Sequence, residues 1–350
     1  IASVKADYIK VRAQHAGKKG QGPRYSIQDA RVHGLQTDWQ TYTPPTPRKL
    51  GVQTLSGYAL AELAPFIDWT PFFQTWELAG RYPAILEDEL VGESARSVFS
   101  DAQAMLKRII DEQWLTANAV FGLFPANSVN SDDIEIYADE SRAQVPMTWH
   151  NLRQQMVKPL DRPNMCLADF IAPKSSGVKD YIGAFAVTTG IGIEQKIAEF
   201  EAKHDDYNSI MLKALADRLA EAFAEHLHMR VRREFWGYAV NESLSNEALI
   251  GEAYVGIRPA PGYPACPDHT EKRALFDLLQ ATDNAGIMLT ESFAMLPAAA
   301  VSGFYFSHPQ AQYFATSVVD KDQVEDYARR KGWTLAEAER WLAPVLNYRS

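Results

Sequence analysis

The stretch ANAVFGLFPANSVNSDDIEIYAD, residues 117–139, is the part of the sequence that decides the fold class. It predicts two strands joined by a polar turn, since apolar runs stand on both sides of an Asn-Ser-Asp-Asp cluster. DYIGAFAVTTGIG, residues 180–192, predicts another strand, and residues 286–319 predict several strands with breaks at Pro297 and Pro309. The predicted strands are therefore clustered along the chain.

The predicted helices are clustered as well. ESARSVFSDAQAMLKRIIDEQW predicts a helix at about 91–114, and the clearest amphipathic pattern lies at about 207–237. Residues 323–343 predict two helices joined near Gly332, and VPMTWHNLRQQM, residues 145–156, predicts that the sheet continues into a short helix. Because strands and helices do not alternate as regular βαβ units, the fold class is predicted to be α+β with a largely antiparallel sheet.

Composition limits the classes of function. The chain has 350 residues, 46% of them hydrophobic, and a net charge of -9, which argues against wholesale binding to nucleic acid or to anionic membranes. It has no run of about 18 apolar residues, so no membrane-spanning helix is predicted. Cys166 and Cys266 are expected to be buried thiols in a reducing compartment, which predicts a cytoplasmic protein.

The beginning of the chain differs from the rest. Residues 1–20 predict a helix with a basic face, and Pro44, Pro45 and Pro47 favour an extended connector over a helix. We therefore expect residues 1–50 to be an interdomain linker and 51–350 to form one domain. The chain is expected to be a fragment of a longer protein.

Common nucleotide and metal motifs are weak or missing. The Gly-Ile-Gly of residues 190–192 is followed by Gln195 where a dinucleotide-binding loop has its third glycine, so a Rossmann-type methyltransferase is not supported. His226 and His228 are two positions apart on a predicted helix and point to different faces, so we expect solvent-exposed or packing side chains. The acidic run at 131–140 lacks calcium-loop spacing and is expected to be a solvated turn.

The segment GIRPAPGYPACPDHTEK, residues 256–272, is unlike an ordinary surface loop. Its four prolines fix an extended backbone and leave a rigid array of carbonyl and amide groups. Arg258 has a planar fork suited to a carboxylate, and Tyr263 offers a ring and a hydroxyl. A rigid connector with a structural arginine is an equally good interpretation of this segment from the residues alone.

This segment resembles the signature of the activation domain of cobalamin-dependent methionine synthases. FIDWTPFFQTWEL at 66–78, ESFAMLPAAAVSGFYFSHP at 291–309 and VEDYARRKG at 324–332 are similar to further signatures of that family, in the same order. The resemblance covers about residues 50–350. It implies a C-shaped α+β domain built on a twisted antiparallel sheet flanked by helices, with S-adenosylmethionine bound in a shallow groove.

The resemblance also implies roles for individual residues. Asp68 would contact the amino end of the ligand, and Arg258 would face its carboxylate. Ala260, Gly262 and Tyr263 would hold the rest of the ligand along the loop backbone. For Asp68, an N-cap of the helix that follows is the alternative from the residues themselves.

The resemblance implies roles for three further positions. Tyr313 and Phe314 match an aromatic pair near the ligand, although relatives often have tyrosine at the second position, so the hydrogen bond of that hydroxyl is lost here. Glu221 is expected near the ligand, with a solvated helix face as its alternative.

The activity implied by the resemblance is reductive reactivation of a methyltransferase. S-adenosylmethionine would methylate cobalamin in a neighbouring module of the same polypeptide, after an electron from flavodoxin or a diflavin reductase reduces cob(II)alamin. This step restores the enzyme that transfers methyl from methyltetrahydrofolate to homocysteine in methionine biosynthesis. A direct displacement needs no general base in this domain. The cobalt-ligating motif, the zinc site and the substrate sites are expected in other modules.

Two other functions remain open at this point. The first alternative to reactivation is a stand-alone S-adenosylmethionine-sensing module. The second is a docking domain for a flavodoxin-like reductant. For docking, Arg230, Arg232 and Arg233 would supply a basic patch, although they equally suit a solvated helix end.

Overall fold

The computed structural model describes residues 22–349, so the helix predicted at 1–20 lies outside the described residues. The helices are α1 (Ile27–Val32), α2 (Leu60–Leu63), α3 (Thr70–Thr75), α4 (Gly92–Asp111), α5 (Ile193–Glu201), α6 (Asp206–Arg230), α7 (Asn246–Ile250), α8 (Glu271–Leu279), α9 (Ala281–Ala285), α10 (Lys321–Lys331) and α11 (Leu335–Leu342). The strands are β1 (Gly51–Tyr58), β2 (Thr116–Val129), β3 (Asp133–Ile136), β4 (Met147–His150), β5 (Asp180–Ile191), β6 (Met288–Leu289), β7 (Met295–Leu296) and β8 (Ala300–Tyr305).

The long strand β2 organises the main sheet. Its first half pairs with β1 and its second half with β3, while β5 lies along its other side. The sheet continues from β3 to β4 and from β5 to β8, and all these pairs are antiparallel. The sheet is curled and flanked by helices. The predicted α+β class is confirmed.

The turn between β2 and β3 forms where the sequence predicts it, but its environment was predicted wrongly. The turn has three residues, Asn130, Ser131 and Asp132, and the first two have left-handed φ values of 52° and 69°. The acidic residues that follow are not solvated: Asp132 and Asp133 are buried. Asp132 pairs with Arg31 and Arg153, whose guanidinium nitrogens lie 2.7 Å from its carboxylate. The arginines that cover Asp132 therefore come from segments outside the hairpin.

Helix α6 is the main helix packed on the sheet. Most of its residues from Met211 to His228 are buried, and the less buried ones, Lys213, Asp217, Arg218 and Glu221, lie along one side of the helix. The predicted pattern at 207–237 corresponds to α6 and the π-helical turn Val231–Phe235 that follows it. His226 and His228 are buried packing residues within α6.

The segment after β4 corrects another expectation. The predicted short helix is absent from 151–156, which run extended, and the backbone of Gln155 accepts a hydrogen bond from Tyr25 N at 2.8 Å. Residues 22–50 follow the surface and are fastened to it at several points. Arg31 bridges Asp132 and Asp326, and the indole of Trp236 donates to Pro45 O at 2.7 Å.

The chain ends in α10 and α11, as predicted. Gly332 closes α10 with a left-handed φ of 68°, and Thr334 caps α11 by accepting from Glu337 N. Cys166 and Cys266 are free, buried thiols, as expected. None of the helices between residues 22 and 349 combines the length and apolar character that crossing a bilayer requires.

Candidate functional site

The proline-rich loop, residues 256–272, lies against the outer edge of β8. Ile257 and Phe306 exchange backbone hydrogen bonds of 3.2 and 3.0 Å, and Phe304 N donates to Pro259 O at 2.9 Å. Gly303 allows this approach, because a Cβ there would stand 2.6 Å from Pro259 O. The sheet therefore fixes the first part of the loop, including Arg258.

A tight turn follows in the same loop. Gly262 N donates to Cys266 O at 2.7 Å, and Tyr263 N donates to Ala260 O at 3.2 Å. Gly262 has a φ of 94°, and a Cβ on it would stand 2.3 Å from the imidazole of His269. Both the backbone conformation and the contact require glycine at this position.

The loop forms one wall of a cleft of about 500 Å³, which we call the ligand cleft. The lining residues come from the loop, β5, β8, α6, the turn after α7 and the segment after β8. They are Phe185, Glu221, Glu252, Arg258, Pro259, Ala260, Tyr263, Pro264, Ala265, Val301, Tyr313 and Phe314. Among the residues named from the sequence, Glu221, Arg258, Ala260, Tyr263, Tyr313 and Phe314 meet here.

Arg258 is the cation of the ligand cleft. Its NH2 lies 2.7 Å from Glu225 Oε2, and its NH1 contacts the Tyr254 hydroxyl and His228 Nδ1. Burial lowers the pKa of Arg258, but Glu225 and the neighbouring tyrosines together outweigh burial and raise that pKa overall. Its Nε–H finds no acceptor within residues 22–349. The guanidinium is therefore fixed, ionised and able to accept another anion at that edge.

Two carboxylates face the same cleft. Glu221 lies on α6 and is half-buried where it lines the cleft, and burial raises its pKa. Glu252 lies in the turn after α7 and was missed from the sequence. It has a φ of 55°, whereas the preceding Gly251 has a φ of −78°. A Gly-Glu pair predicts the left-handed residue to be the glycine, so the strained glutamate gave no usable signal.

The remaining surface of the ligand cleft is mainly apolar. Phe185, Val301 and Phe314 supply ring and aliphatic surface. The Tyr313 hydroxyl accepts a hydrogen bond from Arg258 N at 3.0 Å, which ties Tyr313 to the proline-rich loop. Tyr263 is 60% exposed at the rim. An amphipathic ligand with a flat apolar part suits this lining.

Asp68 and Gly262 do not line the ligand cleft. Asp68 lies two residues before α3, and its Oδ1 accepts from Thr70 N at 2.9 Å. The N-cap position itself is occupied by Trp69, so the N-cap considered for Asp68 from the sequence is not formed. Gly262 shapes the loop from behind. The glycines at 190 and 192 are also away from the cleft: Gly190 is packed on Pro297.

A second cleft, of about 530 Å³, lies between residues 31–39 and the end of β2. Its cations already have partners, since Arg31 and Arg153 pair with buried aspartates and Lys174 pairs with Glu135. Although slightly larger, this cleft offers no unpaired charge to a ligand, so the ligand cleft is the better candidate. No cluster of three or more His, Cys, Asp or Glu side chains suited to a metal occurs in the part of the chain described.

The basic patch considered for docking does not form as predicted. Arg232 is fully buried and its guanidinium binds the Glu242 carboxylate, with NH2 2.7 Å from Oε1. Arg230 is paired with Glu234 at 2.8 Å. Arg233 is exposed, so one of the three arginines presents at this surface a charge that is unpaired within the described part of the chain.

Comparison with known proteins gives two findings. Residues 59–332 match the family described as vitamin B12 dependent methionine synthase, activation domain. A solved structure described as the crystal structure of the MetH reactivation domain bound to AdoHcy is 58% identical to the chain, with a TM-score of 0.91. The match covers 93% of this chain and 100% of that one. That structure is of a complex with S-adenosylhomocysteine.

Proposed function

The chain belongs to the activation-domain family of vitamin B12-dependent methionine synthases, and on that premise we propose that it binds S-adenosylmethionine in the ligand cleft. The bound methyl group would then serve to reactivate the cobalamin of the full enzyme, which a neighbouring module holds. In the domain division that goes with this proposal, residues 51–350 form the binding domain and 1–50 lead into it.

The observation that carries this proposal is the grouping of charges within the ligand cleft. S-adenosylmethionine has a carboxylate, an ammonium, a sulfonium and a flat adenine. The open edge of Arg258 suits the carboxylate, and Glu221 and Glu252 suit the positive groups. Phe185 and Phe314 provide surface for the apolar part. Asp68 remains a proposed contact of the ammonium group.

Methyl transfer makes modest chemical demands on these residues. The S–CH₃ bond would break as the methyl group passes to cobalamin, and S-adenosylhomocysteine would leave as a neutral thioether. Reduced cobalamin, delivered by the neighbouring module, supplies the electron pair, and an external electron donor such as flavodoxin or a diflavin reductase maintains reduction. The cleft residues only bind and orient the methyl donor.

Binding is tested by calorimetric titration of S-adenosylmethionine into the wild-type chain and into Arg258→Lys. Lysine keeps a cation beside buried Glu225 but loses the planar fork. We expect one-to-one binding that the substitution weakens by about 1.5–3 kcal/mol, the range for a hydrogen bond to a charged group. Arg273→Lys, on α8 and outside the ligand cleft, is the matched control and should bind as the wild type does.

Absence of saturable binding by the folded wild-type chain would refute the proposal for the isolated domain. Transfer is tested next, by adding a purified cobalamin module, a reductant and methyl-labelled S-adenosylmethionine. Label must appear on cobalamin, and Arg258→Lys must slow its appearance at subsaturating ligand. Binding without transfer would instead support a sensing module.

A further inference from the structure

Arg258 does not stand alone at the wall of the ligand cleft, because a row of alternating buried charges begins with it. Arg258 pairs with Glu225, whose other oxygen lies 4.0 Å from Arg232 NH1. Arg232 in turn holds Glu242 through Nε and NH2. The side chains of Glu225, Arg232 and Glu242 are less than a tenth exposed. Only the Arg258 end of the row reaches the cleft.

Tyr254 ties the two arginines together. Its hydroxyl accepts a hydrogen bond from Arg258 NH1. The Arg232 guanidinium stacks over its ring, with Cζ 3.9 Å from the ring centroid. His228 completes the surroundings of Arg258, with its Nδ1 3.3 Å from NH1. Burial and the neighbouring arginines keep His228 neutral by lowering its pKa well below the ordinary value. Arg258 is thus restrained on three sides by groups outside the ligand cleft.

Glu225 is the rigid member of this arrangement. It lies one helical turn beyond Glu221, so one face of α6 supplies both carboxylates. The helix is anchored by core residues such as Phe223 and Leu227, which are fully buried. Arg258 belongs to a loop, and a loop side chain keeps a fixed direction only when a rigid element holds it. Glu225 supplies that link.

We propose that Glu225 is a positioning residue, which holds the Arg258 guanidinium at the angle that presents its open Nε edge to the carboxylate of the ligand. A stability role alone is a weaker explanation. The attraction within a buried ion pair often fails to offset the cost of removing both charges from water. Apolar side chains of similar size often stabilise such a site equally well. This inference rests on the proposed function, because it assumes a ligand that carries a carboxylate.

The test compares two ligands that differ only in that group: S-adenosylmethionine and decarboxylated S-adenosylmethionine. The ratio of their dissociation constants measures how much the contact between Arg258 and the carboxylate contributes to affinity. We expect the wild-type chain to prefer S-adenosylmethionine by about tenfold or more. Glu225→Gln should bring the ratio close to one while leaving the affinity for the decarboxylated ligand within about twofold.

Two further variants complete the design. Glu225→Asp keeps the buried charge but retracts it by one methylene. It replaces the glutamine variant in the comparison if that variant does not fold, and it should also reduce the ratio. Glu234→Gln removes an arginine-paired but exposed carboxylate from the turn after α6, and should leave the ratio unchanged.

The outcomes separate the inference from the function on which it rests. An unchanged ratio in the Glu225 variants, or equal weakening of both ligands, would overturn the positioning role. A wild-type ratio near one would overturn it as well, because Arg258 would not be reading the carboxylate. Failure of the wild-type chain to bind either ligand would refute the proposed function before any variant is compared.

Discussion

Replacing Lys331 with methionine should destabilise the domain far more than its place near the end of α10 suggests. Lys331 Nζ lies 3.0 Å from Asp268 Oδ2, 2.7 Å from Glu271 Oε1 and 2.8 Å from Thr270 Oγ1. Both carboxylates are 2% exposed. Methionine is unbranched like lysine and only one atom shorter, so the change removes the charge and little volume. Leaving buried charge without its partner costs about 3–5 kcal/mol.

The loss should depend on pH in a defined direction. Burial raises the pKa of Glu271, and Lys331 only partly offsets this. Burial also raises the pKa of Asp268, but Lys331 and the hydrogen bonds from Tyr327 and Thr270 N together outweigh burial and lower that pKa overall. Without Lys331 both folded-state pKa values rise, so folding takes up protons once the unfolded carboxyls are ionised. The free energy of unfolding of the variant should therefore fall as the pH rises, and its gap from the wild type should widen.

Urea unfolding at pH 5.5 and pH 8, with m-values compared, measures both effects. The reasoning fails if the difference in unfolding free energy at pH 8 is below about 1 kcal/mol, or if it is no larger than at pH 5.5. Lys321→Met is the matched control on the same helix. Its exposed pair with Glu325, at 3.9 Å, should contribute at most about 0.5 kcal/mol.

Two other changes test the loop and a buried histidine. Gly262→Ala should weaken S-adenosylmethionine binding, because the added Cβ meets His269 and the φ of 94° strains alanine. The double variant with His269→Ala should relieve the clash but not the strain, so calorimetry should show a partial recovery of affinity. Burial lowers the pKa of His308 to about 4, so the wild-type chain should lose about 2 kcal/mol of stability between pH 7 and pH 5 through this group, as the unfolded state takes up the proton. Urea titrations of His308→Gln should show a correspondingly smaller loss over the same interval.

Local patterns predicted the elements of the fold well. The hairpin at 117–139 and the helices at 91–114 and 207–237 are each encoded by a contiguous run of residues, and the structure shows them with small shifts at their ends. Burial of the acidic turn was not predictable in this way. Asp132 is buried because Arg31 and Arg153 reach it from segments far away in the sequence.

The same distinction applies to the site. The density of prolines and the fork of Arg258 pointed to the proline-rich loop, because both are properties of one segment. Glu225 and Glu252 were missed, since their importance comes from where α6 and the turn after α7 lie in space. Glu221 was named only through resemblance to a family, and periodicity alone would have left it on a solvated face.

Glu252 has a consequence for anyone who engineers this domain. A non-glycine residue in the left-handed region costs about 1 kcal/mol or more, and here the strained residue stands beside a glycine that does not use its freedom. Screens that reward thermal tolerance alone would enrich glycine or asparagine at this position. The selected variants would be more thermostable but would lack one carboxylate of the ligand cleft. Substitutions at Glu252 should therefore be the first at which melting temperature rises while affinity for the ligand falls.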